Sequence, residues 1–332
     1  MKVGMYYNNK DVRVEEMPIP KINSKELLVK VIASGICGSD VMEWYRIKKA
    51  PLVLGHEISG EVVKAGKHVQ EYKKGDRVFV SHHVPCNTCK YCLDDKHTAC
   101  HTLHTTNYYP GGFAQFLRVP QINVDRGVYK LPESMSFDEG TFIEPLACVY
   151  RGQRKMGLKQ GESVLVLGSG ISGLLHINLA KASGAGRIVA TDISQYRLEK
   201  ALQFGADQAI NSKDYKVEKF DKIILCTGAK PAIEQALQSV DKGGAIEFFA
   251  PANQDVQVTI PVNDFWRNEV KVMTSYGAGP KDLQTAIDLI VNKRVNVNDM
   301  ITHKLKLEEI AAGFKLVAEA KESVKVIIHP NE

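Results

Sequence analysis

Gly168, Gly170 and Gly173 follow an apolar, β-branched run at 164–167 and open a second apolar run, ISGLLHINLAKA. A strand that ends in G-x-G-x-x-G and turns at once into a helix admits few architectures, because each glycine has its own steric duty. The first makes the tight turn, the second lets backbone approach a ligand, and the third lets the helix lie close on the strand. Ile171 opens that helix, whose first N–H groups lack partners within it and favour a negatively charged ligand. Asp192 ends the next strand, 24 residues after Gly168, where a carboxylate can accept hydrogen bonds from a ribose. The glycine pattern alone is weak. In this strand–turn–helix context it predicts a dinucleotide site at Gly168, Gly170, Ile171, Gly173 and Asp192. The charge of Asp192 repels a 2′-phosphate, so NAD is expected over NADP; Arg197, five residues on, is the one group at hand that could pair such a phosphate.

The character of the chain changes near Pro145. Before it, ELLVKVIASGIC, ISGEVVKAG and KKGDRVFV are short β-rich segments divided by glycine turns. They predict an antiparallel barrel or sandwich, between which periodicity does not choose. After it, strands such as KIILCTG and GAIEFFAP alternate with helical stretches such as PAIEQALQSV, which argues for a parallel sheet with helices on both faces. From about Pro280, KDLQTAIDLIVNKR and KLEEIAAGFKLV read as amphipathic helices, followed by the strand SVKVIIHP. A chain of 332 residues exceeds one ordinary core, so two domains are expected.

Composition excludes more than it selects. A formal charge of +5 with Lys and Arg scattered among Asp and Glu gives no basic run for nucleic acid. No apolar run reaches the ~18 residues of a membrane span. The first 20 residues contain no apolar core of a secretory signal, so a cytoplasmic protein is expected.

Four of the seven cysteines, Cys86, Cys89, Cys92 and Cys100, fall within fifteen residues. In a cytoplasmic chain such spacing reads as metal ligands or redox groups rather than disulfides. Four thiolates in one loop suit a closed tetrahedral zinc; close cysteines also occur in iron–sulfur proteins. His82, His83, His97, His101 and His104 flank this loop and read as surface or supporting residues.

Three further motifs carry the chemistry: Cys37 in GICGSD, His56 and Glu57 in GHEISGEVV, and Glu144 in FIEPLAC. Taken together with the cysteine loop and the dinucleotide turn, they resemble the zinc-containing medium-chain dehydrogenases over essentially the whole chain. Glu144 makes the likeness greatest to the polyol, sorbitol-like branch. The resemblance implies an α/β protein. A GroES-like β-rich catalytic domain spans 1–146 and 280–332, with a structural zinc loop at 86–100, and a doubly wound Rossmann domain spans 147–279. It implies two zincs per chain. Cys37, His56 and Glu144 hold the catalytic ion and leave a position for water or substrate, and Cys86, Cys89, Cys92 and Cys100 hold the structural ion. It further implies hydride transfer from a secondary alcohol to NAD, with Ser39 as the hydroxyl that relays the proton and Glu57 near the metal. A homodimer or homotetramer is the family's usual state.

Two departures from the family pattern stand out. Where many relatives carry a histidine three residues past the relay serine, this chain has Met42, which cannot pass a proton. Where sorbitol-like enzymes carry an arginine before the tyrosine at the position of Tyr276, this chain has Ser275. Trp44, Tyr45 and Arg46 are expected near the substrate, and Arg46 with Lys48 and Lys49 could receive an acidic or phosphorylated sugar alcohol or form a solvated basic turn. Cys148, one helical turn past Glu144, is a rival ligand, and Cys226 a packing or cofactor contact. The competing activities are oxidation of threonine at its 3-hydroxyl or of a 2,3-diol, a zinc-free reductase, and a non-catalytic zinc- and NAD-binding relative. A zinc-free reductase has no use for the two ligand sets.

Overall fold

The structure is a computed structural model that describes residues 1–332. The chain divides into two units, residues 1–145, 278–292 and 297–332 in the first, and 146–277 with 293–296 in the second. The strands, in chain order, begin with β1 (Lys2–Asn8), β2 (Asp11–Glu16), β3 (Leu27–Gly35), β4 (Leu52–Val53), β5 (Glu57–Ala65), β6 (Arg77–Val80), β7 (Phe116–Val119) and β8 (Val128–Lys130). They continue with β9 (Ser163–Leu167), β10 (Arg187–Asp192), β11 (Gln208–Asn211), β12 (Phe220–Leu225), β13 (Val240–Phe248), β14 (Lys271–Thr274), β15 (Ile301–Lys306) and β16 (Lys325–His329). The helices that matter below are α1 (Ile143–Met156), α2 (Ile171–Ala182), α3 (Gln195–Gln203), α4 (Lys230–Ser239) and α5 (Val262–Arg267).

In the first unit, alternation along LLVKVIASG puts Leu27, Val29, Val31 and Ala33 on one face of β3, and all four are buried. They pack with Ile58, Val62, Val78, Val80, Leu117 and Val119 into one apolar cluster. The sheet over this cluster runs β15-β16-β3-β5-β6-β8, with β7 paired to β3 beside this path. The β3–β5 register shifts between Leu28 and Val29 and between Val31 and Ala33, so the ladder is locally irregular there. A second sheet, β2-β1-β4, shares another cluster with Phe113, Ile310 and Phe314. The expected helix at KLEEIAAGFKLV begins later, with a 3-10 turn at Leu307–Glu309 and the α-helix over Ile310–Glu319.

In the second unit, the strand order β11-β10-β9-β12-β13-β14 is parallel throughout. Numbered within the unit this is 3-2-1-4-5-6, the doubly wound arrangement. Val164, Leu165, Val166 and Leu167 are all fully buried, the continuous apolar run expected of a central strand covered on both faces. The order reverses between β9 and β12, so the turn at Gly168 stands at the switch point where such sheets bind ligands. No helix is long and apolar enough to cross a membrane.

Candidate active site

Strand pairing brings the first pair of candidate ligands together. In the β3–β5 ladder Gly35 stands opposite Glu57, so Cys37, two residues past one partner, and His56, one before the other, leave the same end of the pair. The Cys37 sulfur, a His56 ring nitrogen and a Glu57 carboxylate oxygen all lie within 4.8 Å of one another. β16 pairs with β3 at Gly35, and this places Lys325, two residues before Ile327, beside the same end. Lys325 and Glu57 are both buried and form an ion pair.

Supporting contacts aim these groups. Asp40, fully buried, places Oδ1 3.3 Å from His56 Nδ1 and 3.5 Å from Arg46 Nη2. Its Oδ2 accepts from the Cys37 N–H at 3.0 Å, and the Cys37 sulfur accepts from the Ser39 N–H at 3.4 Å. With Nδ1 committed to a carboxylate, the other ring nitrogen of His56 is the one left for a metal. Burial disfavours a cation on His56, yet facing Asp40 and Cys37 raise its pKa well above the usual value. Burial likewise opposes ionisation of Asp40, but His56, Arg46 and the Cys37 N–H outweigh it and hold its carboxyl below the ordinary range. A pocket that favours positive charge and offers sulfur, nitrogen and oxygen donors fits a zinc ion.

Glu144 lies in the first turn of α1. Its charge is felt at Tyr108, along with those of Asp40 and Glu57, and all three add to burial in driving the phenol's pKa well up. Tyr108 donates to the Gly55 carbonyl at 3.2 Å, beside His56. His82 also packs here, its ring 5.0 Å from that of His56 and 3.9 Å from that of His83. Burial, then the neighbouring His83, His56 and Arg46, push the His82 pKa well down.

The four-cysteine loop forms a second donor set. Cys86, Cys89, Cys92 and Cys100 hold their sulfurs within 4.8 Å of one another, with 3.9 Å from Cys86 to Cys92 and 3.6 Å from Cys89 to Cys92. Four sulfurs about 2.3 Å from one ion at tetrahedral corners stand roughly 3.8 Å apart, so the spacing fits zinc. Backbone N–H groups of Thr88 and Cys89 donate to the Cys86 sulfur; with the Thr88 hydroxyl they draw that thiol down to about 5. The loop has little apolar filling beyond Leu103.

In the second unit, Gly168 has φ +95°, a backbone state that favours glycine. A Cβ at Gly173 would collide with the Gly168 carbonyl oxygen. Ile171 is the first residue of α2, with Gly170 as its N-cap. Asp192 ends β10 and accepts the Ser169 N–H at 2.8 Å and the Ser194 N–H at 2.9 Å. The Arg197 guanidinium lies 3.7 Å from where a Gly170 Cβ would stand, so it faces the glycine turn. Cys226 adjoins the same turn, its N–H bonded to the Leu167 carbonyl at 2.8 Å.

Some residues at these centres carry little signal in the sequence. Asp40 follows the GICGS run directly and could have been flagged as a histidine partner; Lys325 gives no local sign. Glu247, a buried carboxylate in β13, gives no sign of burial either, since one acid in the apolar GAIEFFAP reads as a break in the strand.

Residues 23–133 match the alcohol dehydrogenase GroES-like domain, and residues 172–292 match the zinc-binding dehydrogenase family. The sorbitol dehydrogenase of Bacillus subtilis is 30% identical over 100% of this chain and 98% of its own. The D-xylulose reductase A of Aspergillus niger is 32% identical over 96% of this chain and 93% of its own. The crystal structure of galactitol-1-phosphate dehydrogenase from Escherichia coli superposes with a TM-score of 0.87 at 27% identity, covering 99% of this chain and 100% of that one. The two family models and this full-length likeness place the chain in the zinc-dependent medium-chain dehydrogenase/reductase family, in its polyol branch.

Proposed function

We propose that the protein oxidises a secondary hydroxyl of a polyol or sugar alcohol, with NAD as hydride acceptor. The observation that carries this reading is the convergence of Cys37 and His56, backed by Asp40, in a chain that also has the glycine turn with Asp192. We assign Cys37, His56 and Glu144 as holders of a catalytic zinc, and Cys86, Cys89, Cys92 and Cys100 as holders of a structural one. Glu144 is preferred to Glu57 as third ligand because Glu57 already compensates the buried Lys325. When bound, the zinc supplies Lewis acidity toward the substrate hydroxyl and the dinucleotide takes up hydride. Asp40 fixes the His56 ring. Ser39, whose N–H bonds the Cys37 sulfur, supplies a hydroxyl two residues from that ligand, and Asp192 accepts from the adenosine ribose. The Arg46 guanidinium is turned onto Ser39 and Asp40, which leaves only Lys48 and Lys49 of the basic turn for an anion and favours a neutral polyol.

Relatives that act on sorbitol and D-xylulose support the substrate class. The test is a panel of polyols, their phosphates, threonine and 2,3-diols followed by NADH absorbance, with metal analysis. Turnover of polyols by protein holding two zincs per chain is expected; a zinc-free protein, or one that turns over only threonine, overturns the reading. Glu144→Ala is expected to lose the catalytic zinc while Glu57→Gln retains it, and the reverse result exchanges their roles.

We further propose a cytoplasmic homodimer. Four cysteine sulfurs gathered into one donor set suit metal ligation, which is the usual role of close cysteines in a reducing compartment. β14 ends the second unit's sheet, and an open strand edge is a template for pairing.

A further inference from the structure

Arg46 holds Ser39 at two points. Its Nε donates to the Ser39 carbonyl at 2.9 Å and its Nη2 donates to the Ser39 hydroxyl oxygen at 3.0 Å. Both prongs of one guanidinium therefore grip a single residue, fixing its main chain and its side chain together. The group is largely buried, lies 3.5 Å from Asp40, and rests on the Tyr45 ring, 4.8 Å from its centroid. These contacts leave the fork little freedom to turn elsewhere.

A guanidinium only donates hydrogen bonds, so the Ser39 oxygen is the acceptor in this pair and its own hydrogen points away from Arg46. The cation against that oxygen polarises the O–H bond and makes it a stronger donor. Arginine cannot take up a proton at any ordinary pH. A proton therefore does not leave by way of Arg46, and Met42 offers no exit either. We propose that Arg46 is a positioning residue that takes up one acceptor site of the Ser39 hydroxyl and holds the group as a hydrogen-bond donor aimed at the substrate oxygen. Negative charge grows on that oxygen as the alcohol loses its proton to water, and a preset donor stabilises it without reorganising.

This inference rests on the reading of Ser39 as a group that faces substrate, and the two can fail separately. The experiment compares Ser39→Ala, Arg46→Ala, Arg46→Lys and the double variant Ser39→Ala/Arg46→Ala. For each, kcat and KM for the preferred polyol, zinc content, and affinity of the NADH complex for a tertiary alcohol that binds but cannot be oxidised are measured. Arg46→Ala is expected to lower kcat by about 10-fold or more and to weaken the tertiary alcohol, with zinc content unchanged. Arg46→Lys keeps the charge beside Asp40 but lacks the fork, and falls between wild type and Arg46→Ala. The double variant should be no slower than Ser39→Ala alone, because Arg46 acts only through Ser39. Added guanidinium should restore part of the Arg46→Ala turnover and none of the double variant's. Losses that multiply in the double variant, or an Arg46→Lys protein as fast as wild type, overturn the proposal. Wild-type turnover by Ser39→Ala instead overturns the reading of Ser39 itself.

Discussion

Asp192 shows how much a single side chain can decide. Both its oxygens take backbone N–H bonds from the turn, which holds the carboxylate at the end of β10 rather than leaving it to swing in solvent. A fixed negative charge there repels a 2′-phosphate, while the Arg197 guanidinium beside Gly170 attracts one. Removing the acid should therefore unmask the arginine. Asp192→Ala is expected to shift the ratio of kcat/KM for NAD over NADP toward NADP by about 100-fold, since loss of a ribose bond and of a repulsion each contribute on the order of 1–2 kcal/mol. Steady-state kinetics with both cofactors measure it, and an unchanged ratio removes Asp192 from the specificity. Adding Arg197→Ala should abolish the NADP gain. At this scale the sequence was legible wherever chemistry repeats as a motif: Cys37, His56, the four cysteines, the glycines and Asp192. Lys325 was not legible, because it reaches Glu57 only through the β16–β3 pairing, across 268 residues of chain.

Elements impose their own pH behaviour. Strand β13 carries Glu247 inside its apolar run, fully buried, with the Ser275 hydroxyl donating to Oε1 at 2.6 Å. Burial is the larger influence and the Ser275 bond opposes it, leaving the carboxyl at about 7 against an ordinary 4.5. Between those pH values the unfolded chain has released the proton that the folded chain keeps, so unfolding is favoured as pH rises. The stability is full below about 4.5 and is lost through about 7. Glu247→Gln cannot ionise; its melting temperature should match wild type near pH 4.5 and exceed it above pH 7, by up to about 3 kcal/mol of stability. A parallel pair of melting curves rules this out. His176 in α2 works the other way: burial holds it at about 3, so unfolding takes up a proton below about 6.5 and both proteins weaken in acid. The loop at 86–100 is a different kind of element, with four thiols and Leu103 in place of a core. Cys100→Ser is expected to halve the zinc content and strip hydrogen-exchange protection from residues 86–105, leaving β9–β14 protected. Protection that persists in the zinc-depleted loop contradicts a metal-held fold. The sequence exposed the loop by its spacing but hid Glu247, since one acid in GAIEFFAP reads as an interruption of the strand rather than as a buried group.

At the scale of the whole chain, the strand–helix alternation after Pro145 announced a parallel sheet, and β9–β14 form one. The sheet of the first unit was not legible in the same way, because its ladders join distant segments and carry register shifts in β3 that periodicity does not reveal. What the fold leaves exposed bears on assembly. β14 is bonded on one side to β13 and ends the sheet on the other. Val272 in that strand is 39% exposed, and Val262 and Trp266 of the adjoining α5 are 69% and 77% exposed. Natural proteins guard an open edge with charge, proline or a covering element, and a large exposed tryptophan beside it does the opposite. A second copy related by a twofold axis meets both needs at once, since β14 then pairs antiparallel with its own counterpart and the same apolar residues face each other. A proline at Val272 removes a backbone donor and a glutamate at Trp266 buries a charge, so either should weaken the pairing. Light scattering at low micromolar protein is expected to show a dimer for wild type and a monomer for Trp266→Glu/Val272→Pro. The melting curve of the monomer should lose its dependence on protein concentration, because association no longer contributes to stability. A wild-type protein that scatters as a monomer at every concentration leaves that edge facing water, and the twofold pairing is wrong.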